Sequence, residues 1–237
     1  MINLANIQAQ WGHYDEAEKF ERQALGITQD WYGRNHPETA SALTNLARTL
    51  VFEDKLSEAE SMLREALAIQ ERAYGEIHPR VASALNDLGK IAVRRGNLEK
   101  AENCFRRMAD IYRSVYHGKH YYIGVAIANL GGVYMERKQY ARAEELFRQA
   151  LDQYAETLPP GHLNVGIGRN RLGRALLRQK RYAEAEAETQ AGYEILSQQG
   201  AAPGSYLENA RTDLAEEYDA LKKPEQAAKF RAELAKQ

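Results

Sequence analysis

The chain has 237 residues, 44% of them hydrophobic and 27% charged, with 32 Lys and Arg against 33 Asp and Glu. A formal net charge of −1 excludes a bulk electrostatic case for nucleic acid or an acidic substrate, so any charge signal must be local. One cysteine, Cys104, excludes an intramolecular disulfide and fits a reducing compartment. No apolar run approaches ~18 residues and no signal-peptide pattern opens the chain, so a cytoplasmic protein without a membrane segment is expected.

Six leucines stand 42 residues apart: Leu4, Leu46, Leu88, Leu130, Leu172 and Leu214. Each is followed by Ala or Gly, and thirteen residues after each comes an alanine: Ala17, Ala59, Ala101, Ala143, Ala185 and Ala227. A fixed period of this length signals one supersecondary unit repeated along a stack. The register divides the chain into units of approximately 1–37, 38–79, 80–121, 122–163, 164–205 and 206–237, read as one solenoid domain over 1–237.

In the first unit, Met1 falls inside the first helix with no capping Ser, Thr or Asp before it, which predicts an N-terminal continuation in a longer protein. The second unit is the template. Leu43, Leu46, Ala47 and Leu50 recur at three and four residues and predict helix A. Glu53, Asp54 and Lys55 break the pattern, and Leu56, Ala59, Leu63, Ala66 and Leu67 predict helix B. Gly75 stands where a helix ends, and His78-Pro79 opens the next unit. The third unit ends in His117-Gly118-Lys119-His120-Tyr121, with Tyr in place of Pro, and the fourth in Pro159-Pro160-Gly161-His162. The fifth ends in Gly200-Ala201-Ala202-Pro203-Gly204, without the histidine, so these three loops are expected to bend or loosen the stack. Lys222-Lys223-Pro224 begins a last, charged helix B suited to cap the array.

The residues Leu46-Ala47, Leu56, Ala59 and Ala66 and their equivalents resemble the tetratricopeptide repeat. The 42-residue period and the Gly33-Arg34-Asn35-His36-Pro37 type of loop resemble its kinesin-light-chain form, found also in bacterial proteins. The resemblance implies an all-α, right-handed superhelical solenoid of about six antiparallel helix pairs, with helix A lining a concave groove. It implies a non-catalytic scaffold whose groove holds a peptide with acidic residues around an apolar anchor.

Helix A carries the candidate contacts. Asn45, Asn86, Asn129 and Asn170 punctuate the expected groove, and an amide both donates to and accepts from an extended backbone. Units three and five are basic there, through Lys90 and Arg94 and through Arg171, Arg174 and Arg178, with Arg48 on the stripe of unit two, and arginine pairs bidentately with carboxylates. Val125, Ala128, Gly132 and Met135 form a small apolar patch in unit four. An Arg171→Glu, Arg174→Glu double change is expected to weaken binding without unfolding the array. Solvated charges on a helix face are the plainer account of the same residues. A stretch near the C-terminus also resembles the ends of repeat arrays in bacterial serine/threonine kinases, which leaves a regulatory or sensor segment as an alternative. RNA binding, suggested by Arg169, Arg171, Arg174, Arg178, Lys180 and Arg181, is disfavoured by the charge balance and the lack of aromatics for base stacking.

Other signals have structural explanations. His36, His78, His120 and His162 occur one per unit, about 10 Å apart, too far to share a metal whose ligands lie ~2 Å away, so they are expected in loops or caps. Gly166-Ile167-Gly168 falls within a helix A rather than after a strand, as a phosphate loop requires. Cys104 occupies the column of Phe20, Met62 and Leu146, that of a buried hydrophobe. No catalytic, cofactor or metal-binding residues are expected.

Overall fold

A computed structural model of the chain describes residues 8, 12–199 and 204–235, and these contain eleven helices and no strand. They divide into two compact units at His117/Gly118, within the loop where Tyr121 replaces proline. The first holds α1 (Tyr14–Tyr32), α2 (Pro37–Phe52), α3 (Leu56–Tyr74), α4 (Pro79–Arg94) and α5 (Leu98–Val115). The second holds α6 (Tyr121–Glu136), α7 (Tyr140–Thr157), α8 (Leu163–Arg178), α9 (Tyr182–Ser197), α10 (Gly204–Ala220) and α11 (Pro224–Leu234). Within each unit every helix packs on the next, and successive A helices also touch: α2 with α4, α6 with α8, and α8 with α10. Leu4, the reading of Met1 inside a helix and the loop 200–203 lie outside the described residues.

Each repeat is punctuated by the same backbone devices. The Nδ1 atoms of His36, His78 and His120 accept the N–H two residues on at 3.2 Å, and that of His162 does so at 3.1 Å. The aligned histidines are therefore N-caps of α2, α4, α6 and α8, satisfying one orphan donor of each helix. Tyr32 stacks on His36 and Tyr74 on His78, with ring centroids 4.7 and 4.4 Å apart. The A–B turn places Gly12, Asp54, Gly96, Lys138, Lys180 and Lys222, again 42 residues apart, in the left-handed region with φ between 57° and 80°. From Lys55 onward, the residue after each of these donates to the carbonyl five residues earlier, as Lys55 does to Leu50 at 2.9 Å. This closes helix A and reverses the chain.

The alanine column forms the seam. Ala17, Ala59, Ala101, Ala143, Ala185 and Ala227 are all completely buried, and Leu46, Leu88, Leu130, Leu172 and Leu214 pack with them in the core. The residue after each leucine is matched to the residue sixteen positions on. A Cβ added at Gly89 would stand 2.5 Å from Phe105, and one at Gly131 would stand 2.6 Å from Phe147. Where the partner is the smaller Leu63, the position tolerates Ala47. Both phenylalanines are buried, so their rings cannot retreat from an added methyl.

Gly89→Ala should therefore lower stability by about 1–2 kcal/mol in urea melts, despite the better helix propensity of alanine. The double variant Gly89→Ala/Phe105→Leu, which copies the Ala47–Leu63 pairing, should recover much of that loss.

Candidate functional site

In the first unit, the exposed face of α2 and α4 carries Ser41, Asn45 and Arg48 opposite Ser83, Asp87, Lys90 and Arg94. Arg48 Nε donates to Asp87 Oδ2 at 2.8 Å and its Nη2 to Ser83 Oγ at 3.2 Å. Arg94 donates to Asp54 Oδ1 at 2.9 Å and to the Val51 carbonyl. Two of the three expected cations are thus held by the protein's own acceptors, while Lys90 is exposed and makes no ion pair among the described residues. Asn86 is half-buried and donates to Asp87 Oδ1 at 3.2 Å. Between the helices lies a hollow of about 160 Å³, lined by Ser41, Asn45, Arg48, Ser83, Arg80 and Gln70 among others. Arg80 donates to Ser41 Oγ at 3.0 Å. Gln70 is buried, and its Oε1 makes no hydrogen bond.

In the second unit, α6, α8 and α10 present the equivalent face. Arg174 Nε donates to Asp213 Oδ2 at 2.8 Å, and Arg178 Nη1 to Glu216 Oε1 at 2.8 Å. Asp213 is 2% exposed; burial raises its pKa from the ordinary value even though the Arg174 charge opposes it. Arg48–Asp87 and Arg174–Asp213 are one arrangement repeated three units apart, an arginine on one A helix paired with an aspartate 39 residues on. Of the two intermediate steps in the sequence, the first pairs Lys90 with Asn129; at the second the acidic position is Arg171 and the basic one is Gly132, whose missing side chain leaves open space. Arg171 consequently makes no ion pair among the described residues; its Nη1 lies 3.4 Å from Asn129 Oδ1, a neutral acceptor. Val125, Asn129 and Gly132 share the partly exposed stripe of α6, and Met135, also partly exposed, lies beside it.

Two expected contact residues are not on these faces. Ala128 is 4% exposed and Asn170 is 7% exposed. Each precedes the stripe by one residue, and one residue is about 100° of helical rotation, which turns the side chain toward the helix's own B partner. Asn170 Oδ1 points into the notch left by Gly192 on α9, where a Cβ would lie 2.0 Å away. Arg171 and Arg174, both expected contacts, differ in their surroundings: Arg174 pairs with the buried Asp213, whereas Arg171 meets the neutral Asn129. The basic run is likewise internally paired elsewhere: Arg169 with Glu188 at 2.8 Å, and Arg181 with Glu144 at 2.8 Å.

Gln70 and Arg80 were not singled out from the sequence. For Gln70 a signal was present: the column from Gln70 continues Tyr112, Tyr154 and Leu196, and these three are buried. A polar residue there stands out by register alone.

A buried acid lies beneath the second face. Glu217 on α10 is fully buried, accepts from Thr189 Oγ1 at 2.8 Å, and leaves its Oε2 without a hydrogen bond. Burial pushes its pKa up to about 8; the Thr189 bond opposes the rise, and Asp213, Glu186 and Glu216 add to it.

Arg174→Glu should destabilise the protein by about 3 kcal/mol, because it leaves Asp213 buried beside a like charge. Arg171→Glu should cost under about 1 kcal/mol, and thermal melts separate the two. Glu217 ionises near 4.5 when unfolded and near 8 when folded, so stability should fall as pH rises from 4.5 to about 8 and then level off. Glu217→Gln should flatten that profile and raise stability at pH 8 by on the order of 2 kcal/mol.

No curated protein sequence matches the chain significantly. Solved structures similar to it include a putative kinesin light chain from Podosopora anserina with nearly identical TPR-like repeats. That protein is 22% identical, with a TM-score of 0.68 over 84% of this chain and 95% of that one. BtubC (BKLC) from P. vanneervenii is 17% identical, with a TM-score of 0.75 over 96% and 90% of the two chains. A Rap protein complexed with competence and sporulation factor is 16% identical, with a TM-score of 0.70 over 99% and 73%. At these identities the likeness is one of fold. The family model described as tetratricopeptide repeat matches residues 1–72, 53–114 and 122–198. With its 42-residue register, histidine-capped A helices and fully buried alanine seam, the chain belongs to the tetratricopeptide repeat family, in a form structurally similar to kinesin light chain repeats.

Proposed function

We propose that the protein is a non-catalytic interaction scaffold whose A-helix faces hold a peptide with acidic residues around an apolar anchor. The observation carrying this reading is Arg171: a guanidinium whose register partner is Gly132 and whose nearest acceptor is the neutral Asn129. Val125 lies on the same partly exposed helix face as Asn129, with the partly exposed Met135 beside that stripe, and the two offer an apolar side chain a surface near that charge. In the first unit Lys90 is the corresponding unpaired cation, and Asn45 borders a hollow lined by further hydrogen-bonding groups. Family membership supports a protein or peptide as the ligand, and the similar Rap protein is complexed with competence and sporulation factor.

The apolar-anchored acidic reading differs from a generic basic surface. Arg48, Arg94, Arg174 and Arg178 are internally paired, so of the six candidate cations Lys90 and Arg171 are the two that make no ion pair among the described residues. A labelled peptide set with Leu, Phe or Trp between aspartates and glutamates tests this by fluorescence anisotropy. Arg171→Glu should weaken binding at least about tenfold, the loss of one charge-assisted hydrogen bond, and Ala128→Ser should leave it unchanged. Binding that survives both Arg171→Glu and Lys90→Glu would rule out these faces.

A further inference from the structure

The second unit carries a further surface on its B-helix side. In the first unit, the edge between α3 and α5 is tied shut. Arg107 Nη2 lies 2.7 Å from Glu71 Oε1 and 3.6 Å from Glu76 Oε2. Only a hollow of about 190 Å³ remains there, bordered by Ile77 and Ile111. Two repeats on, the three charged residues of that tie are replaced together: Arg107 by Ala191, Glu71 by Ala155 and Glu76 by Pro160. Ile77 becomes Gly161. The edge between α7 and α9 consequently opens into a hollow of about 660 Å³.

The substitutions at these positions are specific to this repeat. The column of Ala191 otherwise reads Gln23, Glu65, Arg107, Gln149 and Glu233, large and polar throughout. The hollow's floor is apolar, with Leu151, Leu158, Val165 and Ile195. Its rim is acidic. Among the described residues the exposed Asp152 has no cation, and the Glu194 carboxylate accepts only from the Gln190 amide at 2.8 Å. The one rim arginine, Arg169, is already neutralised by Glu188 at 2.8 Å. An open apolar floor bounded by two uncompensated carboxylates fits a cationic, apolar ligand and disfavours an acidic one.

We infer that this hollow is a docking pocket for the apolar side chain of a partner peptide flanked by Lys or Arg, separate from the A-helix faces and opposite to them in charge preference. The apolar group fills the space that the Arg107 tie and Ile77 occupy in the first unit, and the flanking cations meet Asp152 and Glu194.

The test uses the isotope-labelled full chain with three five-residue capped peptides. These are Gly-Lys-Phe-Lys-Gly, its glutamate counterpart Gly-Glu-Phe-Glu-Gly, and Gly-Lys-Gly-Lys-Gly; benzyl alcohol is a fourth probe. At about 1 mM, the lysine–phenylalanine peptide should shift the backbone amides of Ala155, Gly161, Ala191 and Ile195, and the other three probes should shift them far less. The Gly161→Ile/Ala191→Arg variant, which restores residues found in the first unit, should abolish the response. The surface variant Asp152→Lys/Glu194→Lys, which alters no buried group, should weaken it at least about tenfold, while Arg171→Glu should leave it unchanged. The inference is overturned if the lysine–phenylalanine peptide shifts none of these amides. It is equally overturned if the glutamate peptide or benzyl alcohol matches it, or if both pocket variants, shown folded by circular dichroism, respond as the wild type does.

Discussion

The fully buried alanine seam is the constraint on which the rest of the structure depends. Helix axes approach within about 8–10 Å only where the crossing side chains are small, and Ala59, Ala101, Ala143 and Ala185 supply that at each A–B crossing. The close approach forces the next choice, glycine opposite phenylalanine and alanine opposite leucine, since the space at the crossing is fixed. It also fixes which helix faces remain outside. Where the seam departs from its rule, other features change with it. Gly173 faces Thr189 instead of an aromatic ring, and Thr189 in turn holds the buried Glu217.

Charge on the A-helix faces follows a second regularity. An arginine on one helix and an aspartate 39 residues later form an inter-repeat bridge at Arg48–Asp87 and again at Arg174–Asp213. Such pairs brace neighbouring repeats and at the same time remove charge from the surface. What remains available is set by where the rule fails. Gly132 and Arg171 occupy a step at which neither bridge partner is present, and Lys90 makes no ion pair among the described residues. On the B-helix side, Ala155, Pro160 and Ala191 stand where the first unit keeps a charged tie. In both cases the candidate contact lies at a break in an otherwise repeated interaction, because in a repeat protein the bracing interactions are what the units share.

Much of the fold was legible in the sequence. The leucine and alanine columns located every described helix pair, and the one-per-unit histidines were expected in loops or caps and are helix caps. Less of the site was legible. Asn45, Asn86, Asn129 and Asn170 are all expected along the groove, yet Asn45 and Asn129 lie on the partly exposed stripe, whereas Asn170 is buried against Gly192. Its residue lies two before the marker leucine instead of one, and a single step is about 100° of rotation. The arginines were read as free because the 42-residue register aligns equivalent positions, whereas the bridges join positions 39 apart. The aspartates that neutralise them lay in the columns already written out.

By itself the sequence determined the repeat, its helices and turns and the order in which they stack. Those follow from local periodicity, small residues at crossings and glycine or cap residues at ends, all of which recur in the chain. Only the tertiary structure decided which side chains remain available to a ligand. Availability depends on whether an acceptor on the next helix lies within hydrogen-bond distance, and a difference of one residue or of one missing carboxylate changes it. Arg174 and Arg171 are alike in sequence; the first is bound to a buried aspartate and the second meets only the neutral Asn129 among the described residues.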